Sequence, residues 1–233
     1  MSAPRTARER ARTELVAEIK RVARRHLAEH GAAALSMRAI SRDLGMVSSA
    51  IYRYFPSRDH LLTALIVDSY DAVGAAAEQA DAAQPAEAYH ERWLATCRAV
   101  RAWALTHPHE HALLYGSPVP GYRAPEDTIA PASRVGVVLS RLFSEAYAAG
   151  ALRPPGTPPV PTALWPDTER LRATVMPGLP DELVMLGILV WTHLFGAISF
   201  ELFGHYHNVI DAADDGFDHT MTTLASLIGL PPG

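Results

Sequence analysis

Residues 181–204 constrain the fold more than any other part of this 233-residue chain, because they predict a helix that is apolar on nearly every face. A helix of this kind must be covered all round. One side can pack on the core of its own domain, and the other needs a second chain or an unusually complete cover from the same chain. Since no uninterrupted run of about 18 apolar residues occurs, we expect no membrane-spanning helix.

The net charge of −4 conceals an uneven distribution along the chain. Residues 1–65 contain twelve basic and six acidic side chains, a charge of +6, so the remainder carries −10. The net value alone argues against a nucleic-acid partner, but the basic N-terminal part removes that argument. Such an asymmetry predicts different partners for the two parts of the chain.

The N-terminal part reads as a long amphipathic helix from about residue 8 to 30, followed by two short helices and a longer one. Ser36 is a suitable N-cap for the first short helix, and Gly45 separates it from the second, which fits residues 48–55. Pro56 ends that helix, and Ser57 can cap the next. Two short helices across a glycine turn predict a helix-turn-helix unit. A helical bundle with an accidental hairpin is the alternative, which the coincident basic charge disfavours.

Helical periodicity continues through the rest of the chain, without a strand pattern. Helices fit residues 87–106, 108–114, 127–149, 181–204 and 211–228. Residues 116–125 predict a loop, and five prolines within 153–161 predict an extended segment. The sequence therefore predicts an all-α fold of about nine helices. We place an N-terminal three-helix helix-turn-helix domain at 9–70 and a helical ligand-binding and dimerisation domain at 71–233.

Several classes of function find no support in the sequence. The single cysteine, Cys97, excludes an intrachain disulfide and a thiolate metal cluster. No nucleophile elbow or glycine-rich phosphate loop occurs, so we expect neither an enzyme nor a cofactor. His107, His109 and His111 lack metal-site spacing because a proline interrupts them, and we expect no metal. The Arg-rich N-terminus lacks the apolar stretch of a secretory signal, which favours the cytoplasm.

A long ordered motif resembles the DNA-binding domain of TetR (tetracycline-repressor-like) transcriptional regulators. It consists of SMRAI at 36–40, LGMVS at 44–48, AIYRYFPSR at 50–58 and LL at 61–62. Arg58 stands where the family usually has Lys, and Tyr54 where His is common. Trp191, His193 and Gly196 also resemble the Trp-His-Gly pattern of one class of C-terminal domain in this family.

The resemblance implies a homodimer whose recognition helices enter the major groove of a DNA operator with an inverted repeat. Base contacts are expected from Val47, Ser48 and Ser49, and their small side chains predict modest direct readout assisted by DNA shape. Phosphate contacts are expected from Ser36, Arg38, Tyr52, Tyr54 and Arg58. Core packing is the alternative for the tyrosines, and a solvated surface charge for the arginines. Arg5, Arg8, Arg10 and Arg12 form either an arm that reaches DNA or a solvated tail.

The resemblance also implies a small-molecule effector and a dimer built from the last two long helices. The candidate pocket residues are Trp93, Cys97, Trp103, Leu114, Tyr115, Val138, Leu142 and His193, each of which could instead be core. His193 in particular fits a hydrogen-bonded core histidine. The candidate dimer residues are Leu186, Trp191, Phe195, Phe217, Met221 and Leu224. Few charges fall in the middle of these helices, which favours an apolar or weakly polar effector, still unknown.

The predicted function is therefore a homodimeric repressor that a largely apolar effector releases from its operator. The alternatives are an effector-independent DNA-binding dimer, or an enzyme that uses the C-terminal helical pocket.

Overall fold

A computed structural model describes residues 7–154 and 156–232 and confirms the all-α fold. Within these residues the chain forms ten α-helices and no strand. The helices are α1 (Ala7–His30), α2 (Met37–Asp43), α3 (Ser48–Ile51), α4 (Arg58–Ala82), α5 (Tyr89–Thr106), α6 (Pro108–Tyr115), α7 (Ile129–Ala148), α8 (Trp165–Thr174), α9 (Asp181–Leu202) and α10 (Ala213–Leu227). Short 3-10 turns cover Ala32–Ala34, Glu126–Thr128 and Thr162–Leu164. Arg5 of the predicted arm and Pro155 of the proline-rich segment lie outside the described residues.

The described residues divide into two compact units. The first contains the chain up to Ser69 together with residues 109–128, and the second contains Tyr70–Pro108 and the chain from Ile129 onward. The segment 109–128 joins the first unit because Leu113, Val119 and Tyr122 pack against its apolar core. The first division falls between Ser69 and Tyr70, and the return of residues 109–128 to the first unit is not among the sequence predictions.

Local sequence signals set the helix ends in the first unit. The Ser36 hydroxyl accepts a hydrogen bond from the Ala39 amide at 3.4 Å and caps α2,. Gly45 adopts a φ of 65°, which glycine tolerates without steric cost, so the chain turns between α2 and α3,. Ser57 caps α4 by accepting from the His60 amide. The helix predicted over 48–55 is shorter, since α3 ends at Ile51 and a turn follows.

The second unit is held together by a buried indole and a buried ion pair. Trp93 on α5 is fully buried and donates a hydrogen bond to the Met221 carbonyl on α10 at 2.9 Å. Arg92 on α5 meets Asp81 near the end of α4, and their side chains are only 6% and 2% exposed. Arg141 on α7 reaches the same carboxylate. The unit therefore joins α4, α5, α7 and α10 through contacts distant in sequence.

Helix α8 is absent from the helices that the sequence predicts. It lies beyond the proline-rich segment and begins at Trp165, with Pro166 in its first turn and Asp167 beside it. Proline at the start of a helix and an acidic residue in the first turn are both helix-start signals. Only Thr168 is fully buried, so the helix shows little of the apolar periodicity from which helices are predicted.

Among the described helices, α9 is long and apolar enough to span a bilayer by length and composition alone. Its most apolar window has a mean hydropathy of 2.0, although Gly187, Thr192 and His193 prevent an uninterrupted apolar run. Of that window, 44% is buried inside this chain. Core helices of water-soluble proteins pass the same test, so α9 by itself indicates only that much apolar surface needs cover.

Candidate nucleic-acid interface and ligand cavity

The start of α3 presents three small side chains to solvent. Val47, at the N-cap, is 69% exposed, and Ser48 and Ser49 are exposed in the first turn. Ile51 anchors the other side of the helix in the core with no exposed surface. This arrangement leaves the residues predicted to meet base edges accessible, and their size permits close approach of the backbone.

At the start of α2, the Ser36 hydroxyl is hydrogen-bonded within the helix, whereas the Arg38 side chain is exposed. The Ser36 hydroxyl accepts a hydrogen bond from the Ala39 amide and so acts as the N-cap of α2. Arg38, two residues later, is exposed. Of the two predicted phosphate contacts at this helix end, Arg38 is the one whose side chain makes no hydrogen bond or ion pair with a described residue.

Tyr52 and Tyr54 differ in their surroundings. Tyr52 is exposed, so its hydroxyl is accessible to a phosphate. Tyr54 is half-buried against the core of the first unit, and the Arg12 guanidinium lies 5.2 Å from its ring centre. A cation over an aromatic ring is favourable. Tyr54 thus fits the core-packing alternative, and it positions Arg12.

Arg58 is largely committed to the backbone of its own unit. Its Nη2 donates to the carbonyls of Ala32 and Ala33 at 2.8 and 3.1 Å, and its Nε donates to Leu35 at 3.2 Å. These carbonyls belong to the connection between α1 and α2. The structure therefore indicates that Arg58 holds this connection, a role that differs from the predicted phosphate contact.

Ion pairing separates the basic residues of the first unit into two sets. Lys20 and Arg24 both meet Asp68 at 2.8 Å, and Arg21 and Arg25 also meet carboxylates. A second set of seven arginines has no carboxylate within ion-pair distance among the residues that the structure describes: Arg8, Arg10, Arg12, Arg38, Arg42, Arg53 and Arg123. Since unpaired arginines are the ones available to phosphates, the second set defines the candidate interface.

Asp43 at the end of α2 is held by two side chains of α1. His26 Nε2 and Arg25 Nη2 both lie 2.8 Å from its Oδ2. The hydrogen bond from His26, with a further one from Arg25, lowers the pKa of the Asp43 carboxyl below its ordinary value. The carboxylate consequently stays ionised and fixes α2 against α1.

The N-terminal arginines do not form a separate arm within the described residues. Helix α1 already begins at Ala7, so Arg8, Arg10 and Arg12 belong to its first two turns and are exposed there. The two predicted alternatives, an arm and a solvated tail, are both irregular segments. In the structure these three arginines are instead helical.

A cavity of about 420 Å³ lies between α7, α8 and α9 of the second unit. Its lining includes Gly136 and Ser140 of α7, Val175 just after α8, and Gly187 and Trp191 of α9. No charged side chain lines it. We refer to it as the α7–α9 cavity.

None of the eight residues predicted to line a ligand pocket lines the α7–α9 cavity. Trp93, Cys97, Trp103, Val138 and Leu142 are buried core residues. Burial raises the pKa of the Cys97 thiol well above its ordinary value, so this cysteine is not a reactive thiolate,. Leu114 and Tyr115 belong to α6 in the first unit.

His193 is exposed, which differs from the expectation of a core histidine. Sequence spacing identified apolar helix faces here, but it could not tell which of them surround empty space.

The residues predicted to form the dimer interface differ in their burial. Four of them are buried by their own chain: Phe195, Phe217, Met221 and Leu224. Leu186 is half-buried, and Trp191 both lines the cavity and is 46% exposed. The apolar residues of α9 that the chain leaves open also include Leu189, Phe200 and Phe203, each about half exposed. These three residues, with Met185 and Leu186, recur at helical spacing on one face, the open face of α9, which also carries the exposed Thr192 and His193,.

The histidines near residue 109 have separate environments. His107 stacks on Trp103 with ring centres 5.3 Å apart, His109 is exposed, and His111 is buried. Burial lowers the pKa of His111 to about 4. Within residues 7–154 and 156–232, no group of three or more histidine, cysteine, aspartate or glutamate side chains could hold a metal ion.

Comparisons with known proteins agree with this architecture. Residues 19–65 match the family of bacterial regulatory proteins known as the tetR family, and residues 93–224 match the tetracyclin repressor-like C-terminal domain. The HTH-type transcriptional regulator Rv1816 of Mycobacterium tuberculosis (strain ATCC 25618 / H37Rv) is 44% identical over 199 residues, 84% of each chain. The regulator Mb1846 of Mycobacterium bovis is similar to the same extent.

Solved structures share the fold. The crystal structure of SCO4313 superposes with a TM-score of 0.76 at 32% identity, covering 96% of this chain and all of the other. A regulatory protein of the tetR family from Rhodococcus RHA1 gives 0.62 at 16% identity, covering 92% and 96%. The fold, the exposed start of α3 and these relatives define a helix-turn-helix transcriptional regulator. More specifically, the chain belongs to the TetR family.

Proposed function

We propose that this regulator is a homodimeric repressor that binds an inverted-repeat operator and leaves it when a small, largely apolar effector binds. The observation that carries the proposal is the exposed start of α3, where Val47, Ser48 and Ser49 stand clear of the protein above a buried Ile51. The first turn of a recognition helix is the part that meets base edges in the major groove. Serine hydroxyls accept or donate, so they read bases loosely and DNA shape contributes to specificity.

The phosphate contacts in this proposal come from side chains that form no ion pair with the described residues. Arg38 at the start of α2 and Tyr52 after α3 are exposed, and Arg42 and Arg53 extend the same unpaired set. Ser36, Tyr54 and Arg58 support these groups by capping α2, by packing, and by holding the connection before α2. Contacts of this kind orient the protein on DNA without reading sequence.

The proposed second copy covers the open face of α9. Leu189 and Phe203 are separated by 14 residues, so at 1.5 Å per residue this face is about 21 Å long, with Thr192 and His193 between its apolar ends,. A stripe of that length left in water is typical of an interaction surface. Cover by a second copy, rather than by lipid, agrees with a regulator that works in the cytoplasm and with the two-fold symmetry of an inverted repeat.

Selection of bound DNA from a random pool tests the DNA part of the proposal. The full-length protein should enrich an inverted repeat with half-sites about one helical turn, roughly 10 base pairs, apart or a multiple of it. A single non-palindromic site would contradict the dimer.

Substitution of Leu189 by Asp tests the second copy. The variant should sediment as a monomer, because association would bury an unpaired carboxylate. Leu105→Asp is the matched control, since Leu105 on α5 is 41% exposed and Leu189 is 47% exposed. A dimeric L189D protein, or a control that dissociates equally, would refute the assignment of this face.

Two alternatives make different predictions. An effector-independent dimer would bind the same operator with no response to any compound. An enzyme would turn over a compound bound in the helical pocket, but the relatives of this chain are named as transcriptional regulators, and Cys97 is a buried thiol. We therefore propose that the chain acts by binding alone.

A further inference from the structure

We propose that the α7–α9 cavity binds an uncharged, mostly hydrocarbon molecule whose one polar group, a hydroxyl or a carbonyl, hydrogen-bonds to Ser140. The inference specifies the effector site of the proposed function and rests on that function only for the release of DNA. It is carried by three features of the cavity: its lining, an unoccupied glycine position and an unpartnered serine.

The lining excludes a charged ligand. All three helices contribute uncharged side chains, and most of the surface is aliphatic or aromatic. Transfer of a carboxylate or an ammonium group into such surroundings is strongly unfavourable without a counter-charge. Since a water molecule takes roughly 30 Å³ of liquid volume, a cavity of about 420 Å³ would hold about 14 non-hydrogen atoms,.

Gly136 keeps part of this space open. It lies inside α7, where glycine is less favourable than alanine,. A Cβ added to Gly136 would meet no heavy atom within 4 Å, so close packing does not explain the glycine. Gly187 on α9 differs, since its added Cβ would come within 2.9 Å of the Met176 methyl group. That methionine also lines the cavity, and its flexible chain can adapt to the shape of a ligand,.

Ser140 supplies the point of polar recognition. It lines the cavity, is only 2% exposed, and its hydroxyl has no hydrogen-bond partner among the described residues. Ser133, two helical turns earlier on the same lining, is already satisfied because its hydroxyl donates to the Ala130 carbonyl at 2.8 Å. Because this unpartnered hydroxyl faces the open space of the cavity, it is available to a hydrogen-bonding group that arrives with the ligand,.

The test uses the full-length protein without DNA and three probes that share a ten-carbon chain: 1-decanol, decanoate and decylamine. Isothermal titration should show saturable binding of 1-decanol, with decanoate and decylamine at least tenfold weaker. Ser140→Ala should weaken 1-decanol about 2- to 12-fold, the range that one hydrogen bond contributes. Ser133→Ala is the matched control and should leave the affinity unchanged.

Gly136→Leu tests the location independently of the hydrogen bond. The added side chain enters open space and favours the helix, so the variant should fold with unchanged helical circular dichroism and lose 1-decanol binding,. Binding that survives this substitution would overturn the proposal. Decanoate binding equal to that of 1-decanol would overturn it too, as would a lack of saturable binding by 1-octanol, 1-decanol and 1-dodecanol.

Sedimentation and operator binding of the same variants distinguish a ligand cavity from a contact between copies and from the DNA-binding surface. If a second copy fills the cavity, G136L would change the sedimenting mass instead of the probe affinity, and the proposal would be overturned. Operator binding is measured in the absence of a probe. A failure there contradicts the proposed function, whereas a failure of probe binding contradicts only the cavity.

Discussion

Replacement of Arg38 by alanine tests whether the unpaired arginines of the first unit are the DNA-binding charges. Arg38 is exposed and has no carboxylate within ion-pair distance among the described residues, so its charge is available to a phosphate. Each phosphate contact contributes about 0.9 to the slope of log affinity against log salt. A dimer loses two contacts, which lowers the slope by about 1.8 and the affinity at 0.1 M salt by about 60-fold.

The assay is a salt titration of operator binding, by fluorescence anisotropy, between about 0.05 and 0.3 M salt. Arg21→Ala is the matched control in the same unit, because Glu18 already binds the Arg21 guanidinium at 2.6 and 2.9 Å. Its slope should equal that of the unmodified protein. A slope unchanged in R38A would refute the assignment of Arg38 to a phosphate. Equal losses in R38A and R21A would show that net charge, rather than a specific contact, governs affinity.

Three predictions concern the stability of the fold. Asp81→Ala leaves the buried Arg92 guanidinium without its main partner and should cost about 3 kcal/mol, seen as a lower midpoint in urea; a loss under 1 kcal/mol would contradict the buried pair,. Because burial lowers the pKa of His111 to about 4, this ring stays neutral in the folded chain while the unfolded chain binds a proton below about pH 6.5,. Stability should therefore fall by up to about 3 kcal/mol between pH 6.5 and 4, and less so in H111Q; an equal fall in both proteins would refute this cause. Trp93→Phe removes the hydrogen bond to the Met221 carbonyl and some core volume, so denaturant unfolding should show a loss of about 2 kcal/mol; an unchanged midpoint would contradict this contact,.

The sequence by itself determined the DNA-binding unit, because the signals that define it are local. A capping serine, a glycine with positive φ and a proline after the recognition helix act within a few residues of the backbone that they shape. Ser36 and Gly45 therefore located the start of α2 and the turn after it, whereas α3 ends at Ile51, four residues before the end that Pro56 predicted. The same locality identified Val47, Ser48 and Ser49 as the exposed start of α3, and the motif they belong to identified the family.

Only the tertiary structure decided how individual side chains are used, because burial depends on segments that are distant in sequence. Helix α8 completes the α7–α9 cavity although its own pattern is weakly apolar. Residues 109–128 return to the first unit, and Arg58 binds the backbone before α2.

Helix α9 shows most clearly the difference between what the sequence predicts and what tertiary packing decides. Its composition required cover on every side, but only its packed neighbours reveal that Phe195 is buried by its own chain while Leu189 is left open. Hydrophobic periodicity predicts that a helix face is buried, but it does not identify the segment or the second chain that buries it.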